Sequence, residues 1–252
     1  MASDDRAVAQ PGALALVTGG GRRIGEAIVR ALHERGLDLL FTGRSSLAAG
    51  ERLAAELNAV RPGSAGVRRL DLADDSQIAA LAAEVNGRGR LDLLVHNASA
   101  FYPTPFGAVT PDAWDDLLAS NLRGPFFLTQ ALRPALAAAS GSIVALADIH
   151  GERPLRGHAV YSIAKAGLIM MVRSLARELG PEIRVNAVAP GYILSPPAGF
   201  TDSVENIMLQ RIALGRRGAP EDIAGAVCYL GLDAGYVTGQ VLAIDGGRSL
   251  FM

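Results

Sequence analysis

The pair of side chains best suited to moving a proton is Tyr161 and Lys165, in the run Tyr161-Ser162-Ile163-Ala164-Lys165. Residues four apart share one face of a helix, and the surrounding segment 159–179 has a helical pattern. An ammonium held beside a phenol favours the phenolate. It is expected to lower the Tyr161 pKa toward working pH, as suits a general acid or base.

A second cluster could hold phosphate. Thr18-Gly19-Gly20-Gly21-Arg22-Arg23-Ile24-Gly25 follows an apolar strand-like run and precedes an apolar helical pattern. Glycines permit positive φ and let backbone amides approach a pyrophosphate, which a helix N-terminus also attracts. An ordinary strand-to-helix turn is the plainer alternative, but its place at the first such turn of an alternating chain favours a dinucleotide. No Gly-Lys-Ser/Thr ending is present, which excludes a P-loop. After the second strand comes Phe41-Thr42-Gly43-Arg44-Ser45-Ser46, without the carboxylate that holds the ribose hydroxyls in NAD sites. Arg44 can pair with a 2′-phosphate through its planar fork and Ser45 can donate to it, so NADPH is the expected cofactor.

Elements that could position these groups recur along the whole chain. Strand candidates are residues 13–18, 37–42, 66–70, 91–96, 142–146, 183–189 and 241–244, mostly continuous apolar runs. Between them lie helical patterns at 24–35, 47–59, 76–86, 114–138, 159–179 and 220–230. This alternation predicts one α/β domain, a doubly wound parallel sheet of about seven strands with helices on both faces. Its length of 252 residues suits that single core. Residues 1–11 are expected to be a disordered tail, 12–252 the domain, and 191–213 one long irregular substrate loop.

Composition narrows the function. The net charge is −1, and no Lys or Arg cluster is long enough for nucleic acid, so the expected partner is a small molecule. No run approaches eighteen apolar residues, so no membrane span is expected. Cys228 is the one cysteine, which excludes a disulfide framework, and His96, His150 and His158 lack metal-ligand spacing. A cytoplasmic location is the default expectation.

From residue 13 to the C-terminus the chain resembles the short-chain dehydrogenase/reductase family. The matching pieces are the turn 18–25, Asp71-Leu72, Asn97-Ala98, Asn121, Tyr161 with Lys165, Pro190-Gly191, and Asp245-Gly246-Gly247. The resemblance implies a Rossmann-type fold, an NADP-dependent oxidoreductase and a homotetramer. It implies a cofactor site including Gly19, Arg22, Arg23, Ile24, Arg44, Ser45, Pro190 and Gly191. Asp71 and Leu72 would flank the adenine, and Asn97 and Ala98 would lie against the cofactor. Lys165 would bind the nicotinamide ribose beside Tyr161, and Asn121 would hold a water-linked proton relay to Lys165.

Three departures sharpen the resemblance. Arg23 stands where the family has a turn glycine, and the family's Asn-Asn-Ala-Gly becomes His96-Asn97-Ala98-Ser99. The family's catalytic serine, thirteen residues before the tyrosine, is here Asp148. These departures, with the segment Asn97 to Pro105, are similar to the pteridine reductases, including bacterial dihydromonapterin reductases. That resemblance implies that Phe101 stacks on a pterin, Arg23 bridges pterin and pyrophosphate, and Ser99 hydrogen-bonds near the phosphates. Asp148 would share proton delivery with Tyr161, and Tyr192 could line the pocket. The plainer reading of Asp148 is a turn cap. The expected activity is NADPH-dependent reduction of a dihydropterin. The alternative is reduction of a 3-oxoacyl thioester or small ketone, and a non-catalytic NADP-binding sensor is a third reading.

Overall fold

The computed structural model describes residues 10–45, 47–194 and 202–251, except the side chains at 202 and 204. Seven parallel strands form one sheet in the order β3-β2-β1-β4-β5-β6-β7. They are β1 (Leu14–Val17), β2 (Asp38–Gly43), β3 (Ala65–Arg69), β4 (Leu93–His96), β5 (Ser142–Leu146), β6 (Arg184–Pro190) and β7 (Val241–Ile244). The expected tail lies almost wholly outside the described residues, as does part of the expected loop.

Apolar runs become strands here because both faces of the sheet are covered. Successive side chains point to opposite faces. Leu14, Leu16 and Leu94 thus enter one core, with Leu128, Leu132 and Leu168. Ala15, Val17, Leu93 and Val95 enter the other, with Ile28, Leu32 and Val227. Each fully buried leucine contributes roughly 1.5–3 kcal/mol. The helices α1 (Arg23–Glu34) and α2 (Leu47–Val60) follow β1 and β2, and α3 (Asp75–Gly87) follows β3. Asp74 caps α3, accepting from the backbone amides of Ser76 and Gln77 at 2.9 and 3.2 Å.

The pattern at 114–138 resolves into more than one element. Helix α4 (Pro111–Leu118) starts three residues early, with Thr110 as cap (Ala113 N to Oγ1, 3.2 Å) and Pro111 in its first turn. A π-helical turn, Ala119–Arg123, then leads into α5 (Gly124–Ala138). Helix α6 (Ala159–Leu179) matches its expected limits. It is long and apolar enough to cross a membrane, yet Leu168, Val172 and Ala176 pack one face into the core beneath the sheet. The expectation of one irregular stretch at 191–213 needs correction: Asp202–Leu209 forms α7 within it. Helix α8 (Pro220–Cys228) packs against α1 and ends in a second π-helical turn, Tyr229–Asp233.

Candidate active site

Every element that brings chemistry forward does so at the carboxyl ends of the strands, where β1 and β4 lie side by side and the connections diverge. Crevices at such switch points are where open α/β sheets bind ligands. Asn97 fastens the two strand ends together. Its Nδ2 donates to the carbonyls of Thr18 and Gly19, each at 2.9 Å, and its backbone amide and that of Ala98 donate to Thr18 Oγ1 at 3.0 Å.

The glycine turn leaves no room for side chains. Gly19 has φ +67°, and a Cβ on Gly25 would lie 2.2 Å from the Gly19 carbonyl oxygen. Arg23 follows the opposite logic, keeping φ +55° without being glycine. That conformation costs an L-residue roughly 1–2 kcal/mol, so the backbone retains the turn glycine's geometry while presenting an exposed guanidinium. Arg22 is also exposed, and Ile24 packs against the core. A close-packed turn at a helix N-terminus, flanked by two arginines, fits a dinucleotide pyrophosphate. Arg44 fits the phosphate beyond it: at the end of β2 it is 55% exposed and loosely paired, 3.6 Å from Asp116 and 4.0 Å from Asp71. Ser45 is exposed beside it, and Ser46 lies outside the described residues.

The groups suited to handling a proton come from just past β5 and from α6. Asp148, just past β5, divides its oxygens. Oδ1 accepts from the His150 amide at 2.8 Å, capping the short turn Ile149–Gly151, while Oδ2 accepts from the Tyr161 hydroxyl at 2.7 Å. Asp148 is therefore both turn cap and tyrosine partner. Lys165 is buried, its Nζ donating to the Leu146 carbonyl at 2.7 Å and lying 5.6 Å from the Tyr161 ring centre.

The electrostatics reverse one expectation. Tyr161 was expected to have a lowered pKa, but it is raised well above the ordinary tyrosine value. Burial is the main cause, and the Asp148 charge and hydrogen bond add to it, against a smaller lowering by Ser99. Burial also pulls Lys165 down to about 8, which weakens the ammonium's help to a phenolate. The protein therefore holds Tyr161 as a neutral phenol whose hydrogen points at Asp148.

The segment after β4 closes the site. Ser99 Oγ donates to Asn121 Oδ1 at 2.6 Å, and Asn121 Nδ2 donates to the carbonyls of Ala100 and Leu117, each at 2.9 Å. Asn121 lies in the π-helical turn, a distortion that often marks functional positions. Its side chain here anchors the Ser99–Ala100 backbone. Phe101 is 56% exposed, its ring edge-on to Tyr161 with centroids 4.8 Å apart. It presents an aromatic surface to the site rather than packing into the core.

The remaining predicted residues sit farther out. Leu72 is buried against Gly124, and Asp71 Oδ1 accepts from the Ala73 amide at 3.0 Å. Pro190 ends β6. Gly191 is needed for packing, since a Cβ there would lie 2.6 Å from Asp245 Cβ. Tyr192 is buried, its hydroxyl donating to Glu205 on α7 at 3.2 Å. Two neighbours were missed. His158 stacks on Phe101, and its position one turn before Tyr161 was the available signal. Arg248, in the C-terminal turn, feels the charges of Asp148 and Asp245, and no sequence pattern pointed to it.

Comparison with known proteins bears on this geometry. The family model described as Enoyl-(Acyl carrier protein) reductase matches residues 20–249. The 3-oxoacyl-(acyl-carrier-protein) reductase FabG of Staphylococcus aureus is 36% identical, over 92% of this chain and 96% of its own length. That of Chlamydia muridarum is 33% identical, over 93% and 96%. Among solved structures, a blue fluorescent protein from a metagenomic library, in complex with NADPH, aligns with TM-score 0.86 and 37% identity. That alignment covers 94% of this chain and 98% of that one.

Proposed function

The chain belongs to the short-chain dehydrogenase/reductase family, and from that premise we propose that it is an NADPH-dependent reductase of the C=N bond of a dihydropterin. The 2.7 Å hydrogen bond from Tyr161 to Asp148, at the family's serine position, carries this reading. NADPH, when bound, supplies the hydride to the substrate carbon. The chain's own residues supply the rest. Arg44 and Ser45 suit the 2′-phosphate, the turn from Gly19 to Gly25 suits the pyrophosphate, and Lys165 suits the nicotinamide ribose. The Tyr161 hydroxyl holds the proton that the substrate nitrogen takes, and Asp148 orients that hydroxyl. Phe101 offers a face for a flat heterocycle, and Arg23 and Ser99 suit its polar edge.

Charge decides between substrates. Hydride addition to a ketone builds negative charge on oxygen. A carboxylate ~4 Å away opposes it by about 4 kcal/mol at an effective dielectric of ~20, roughly a thousandfold in rate. An imine nitrogen being protonated builds positive charge, which the same carboxylate favours. Exposed Phe126, Phe127 and Met170 on α5 and α6 are consistent with the homotetramer that the family resemblance implies.

The second reading is carbonyl reduction. The relatives favour it over pterin reduction, because both named curated relatives are 3-oxoacyl-(acyl-carrier-protein) reductases. Asp148→Ser separates the two. On the pterin reading, the variant loses about tenfold or more in kcat/KM for 7,8-dihydrobiopterin or dihydromonapterin while its ketone activity rises. Wild-type protein that reduces a 3-oxoacyl thioester well and no dihydropterin at all would decide for the carbonyl reading.

The phosphate turn is tested separately. In Gly25→Ala the new methyl displaces the Gly19 carbonyl, and overpacking of this kind costs about 1–3 kcal/mol. NADPH affinity, followed by fluorescence titration, is expected to weaken by about tenfold. An affinity within twofold of wild type would remove this turn from the cofactor site.

A further inference from the structure

The ring of Phe101 has two faces, and one is already taken. His158 lies flat against it, with centroids 4.7 Å apart and planes 11° from parallel. The contact is built from both sides. The Phe101 segment is fastened to the start of α6 by Thr104, which is buried. The Thr104 amide donates to the Gly157 carbonyl at 2.6 Å, Thr104 and His158 form a parallel bridge, and Thr104 Oγ1 accepts from the Val160 amide at 3.4 Å. His158 is oriented in turn, with Nδ1 3.2 Å from the Arg156 carbonyl. A carbonyl only accepts, so Nδ1 carries a hydrogen. Tyr161, one helical turn further on, meets the Phe101 ring edge-on. The imidazole, the phenyl ring and the catalytic phenol are thus set by one short stretch of α6 and the loop bound to it.

We infer that His158 is a specificity-determining positioning residue, which backs Phe101 so that its free face stands as a fixed platform for a planar heterocycle beside Tyr161. The inference rests on the flat-heterocycle reading proposed above. Phe101 is more than half exposed and, without a backing ring, would keep rotamer freedom that the substrate must remove on binding. An aromatic pair of this geometry is worth a three- to tenfold change in affinity. That gain should appear in binding and not in the chemical step, because His158 stacks on Phe101 and not on Tyr161.

The test compares wild type, His158→Ala and His158→Phe, each with NADPH bound and each checked for an unchanged melting temperature. Two quantities are measured: the steady-state kinetics with 7,8-dihydrobiopterin, and the Kd of 2,4-diaminopteridine by fluorescence quenching. His158→Ala is expected to raise both KM and Kd three- to tenfold with kcat within about twofold, and His158→Phe to restore both. A Kd for His158→Ala equal to wild type, or no restoration in His158→Phe, overturns the inference. Wild type that binds the diaminopteridine in a His158-dependent way but turns over no dihydropterin overturns the proposed reaction and leaves the platform standing. Wild type that binds no pteridine overturns both.

Discussion

Tyr161→Phe is expected to lower kcat by about 10²- to 10⁴-fold with every reducible substrate, the range a positioned general acid supplies. NADPH affinity should stay within a few-fold of wild type. The hydroxyl being removed is held protonated by burial and by Asp148, and it donates to Asp148 Oδ2 at 2.7 Å. Fold stability should change little, by about 1 kcal/mol, because Asp148 keeps the His150 amide as a second donor. NADPH oxidation assays, cofactor titration and thermal melting check the three parts. If catalysis survived within tenfold, the proton would come from elsewhere, and Tyr161 would be only an orienting contact for Asp148. If nothing but NADPH affinity changed, the non-catalytic sensor reading would gain ground.

The second large effect concerns acid stability and begins with a buried histidine. His96, at the end of β4, is fully enclosed, with Nε2 2.8 Å from Thr129 Oγ1. The Thr129 hydroxyl donates to the Pro125 carbonyl at 2.8 Å, so the hydrogen between threonine and histidine belongs to His96 Nε2. Nδ1 then bears a lone pair without a donor among the described residues. Burial pushes the His96 pKa down to about 3. As pH falls through 6.5, the unfolded chain takes up a proton at this residue while the folded chain does not until about 3. The unfolded state binds more protons across that window, so stability falls as pH falls, by up to ~1.4 kcal/mol per unit. His96→Asn removes the titration. Urea unfolding at pH 7 and pH 4.5 should show wild type losing about 2.5 kcal/mol more than the variant. Parallel losses would mean that His96 does not set the acid limit.

Much of the fold was legible because a parallel sheet covered on both faces writes itself as apolar runs. Ile143 to Leu146 and Leu93 to Val95 read directly as strands for that reason. The edge strand β3 had to be found mainly by alternation, since it contains Arg68 and Arg69, both exposed. Helix α7 went unread. Its eight residues follow Pro196, Pro197 and Gly199, and so short a helix after such breakers carries little periodic signal. The π-helical turn holding Asn121 was also invisible, because one inserted residue barely disturbs a 3.6-residue pattern. In the site, residue types and spacing pointed to Tyr161 and Lys165, and the family resemblance pointed to Asp148 and Phe101. They did not reveal depth, and burial sets the direction of the Tyr161 pKa. Nor could spacing disclose that Asn121 is occupied with Ser99 and Ala100, or that His158 covers a face of Phe101.

The sheet order has a consequence for how the chain must be made. The interior strand β1 pairs on one side with β2, soon after it, and on the other with β4, where Leu14 meets Asp92 across 78 residues. At a synthesis rate of about 5–20 residues per second, β1 waits roughly 4 to 16 seconds for that partner. During the wait the edge of β1 that β4 will cover, along Leu14, Leu16 and Val17, has no strand to pair with. The nascent chain is therefore most exposed to sticking before residue 96 has left the ribosome, and chaperones that shield apolar edges would matter most there.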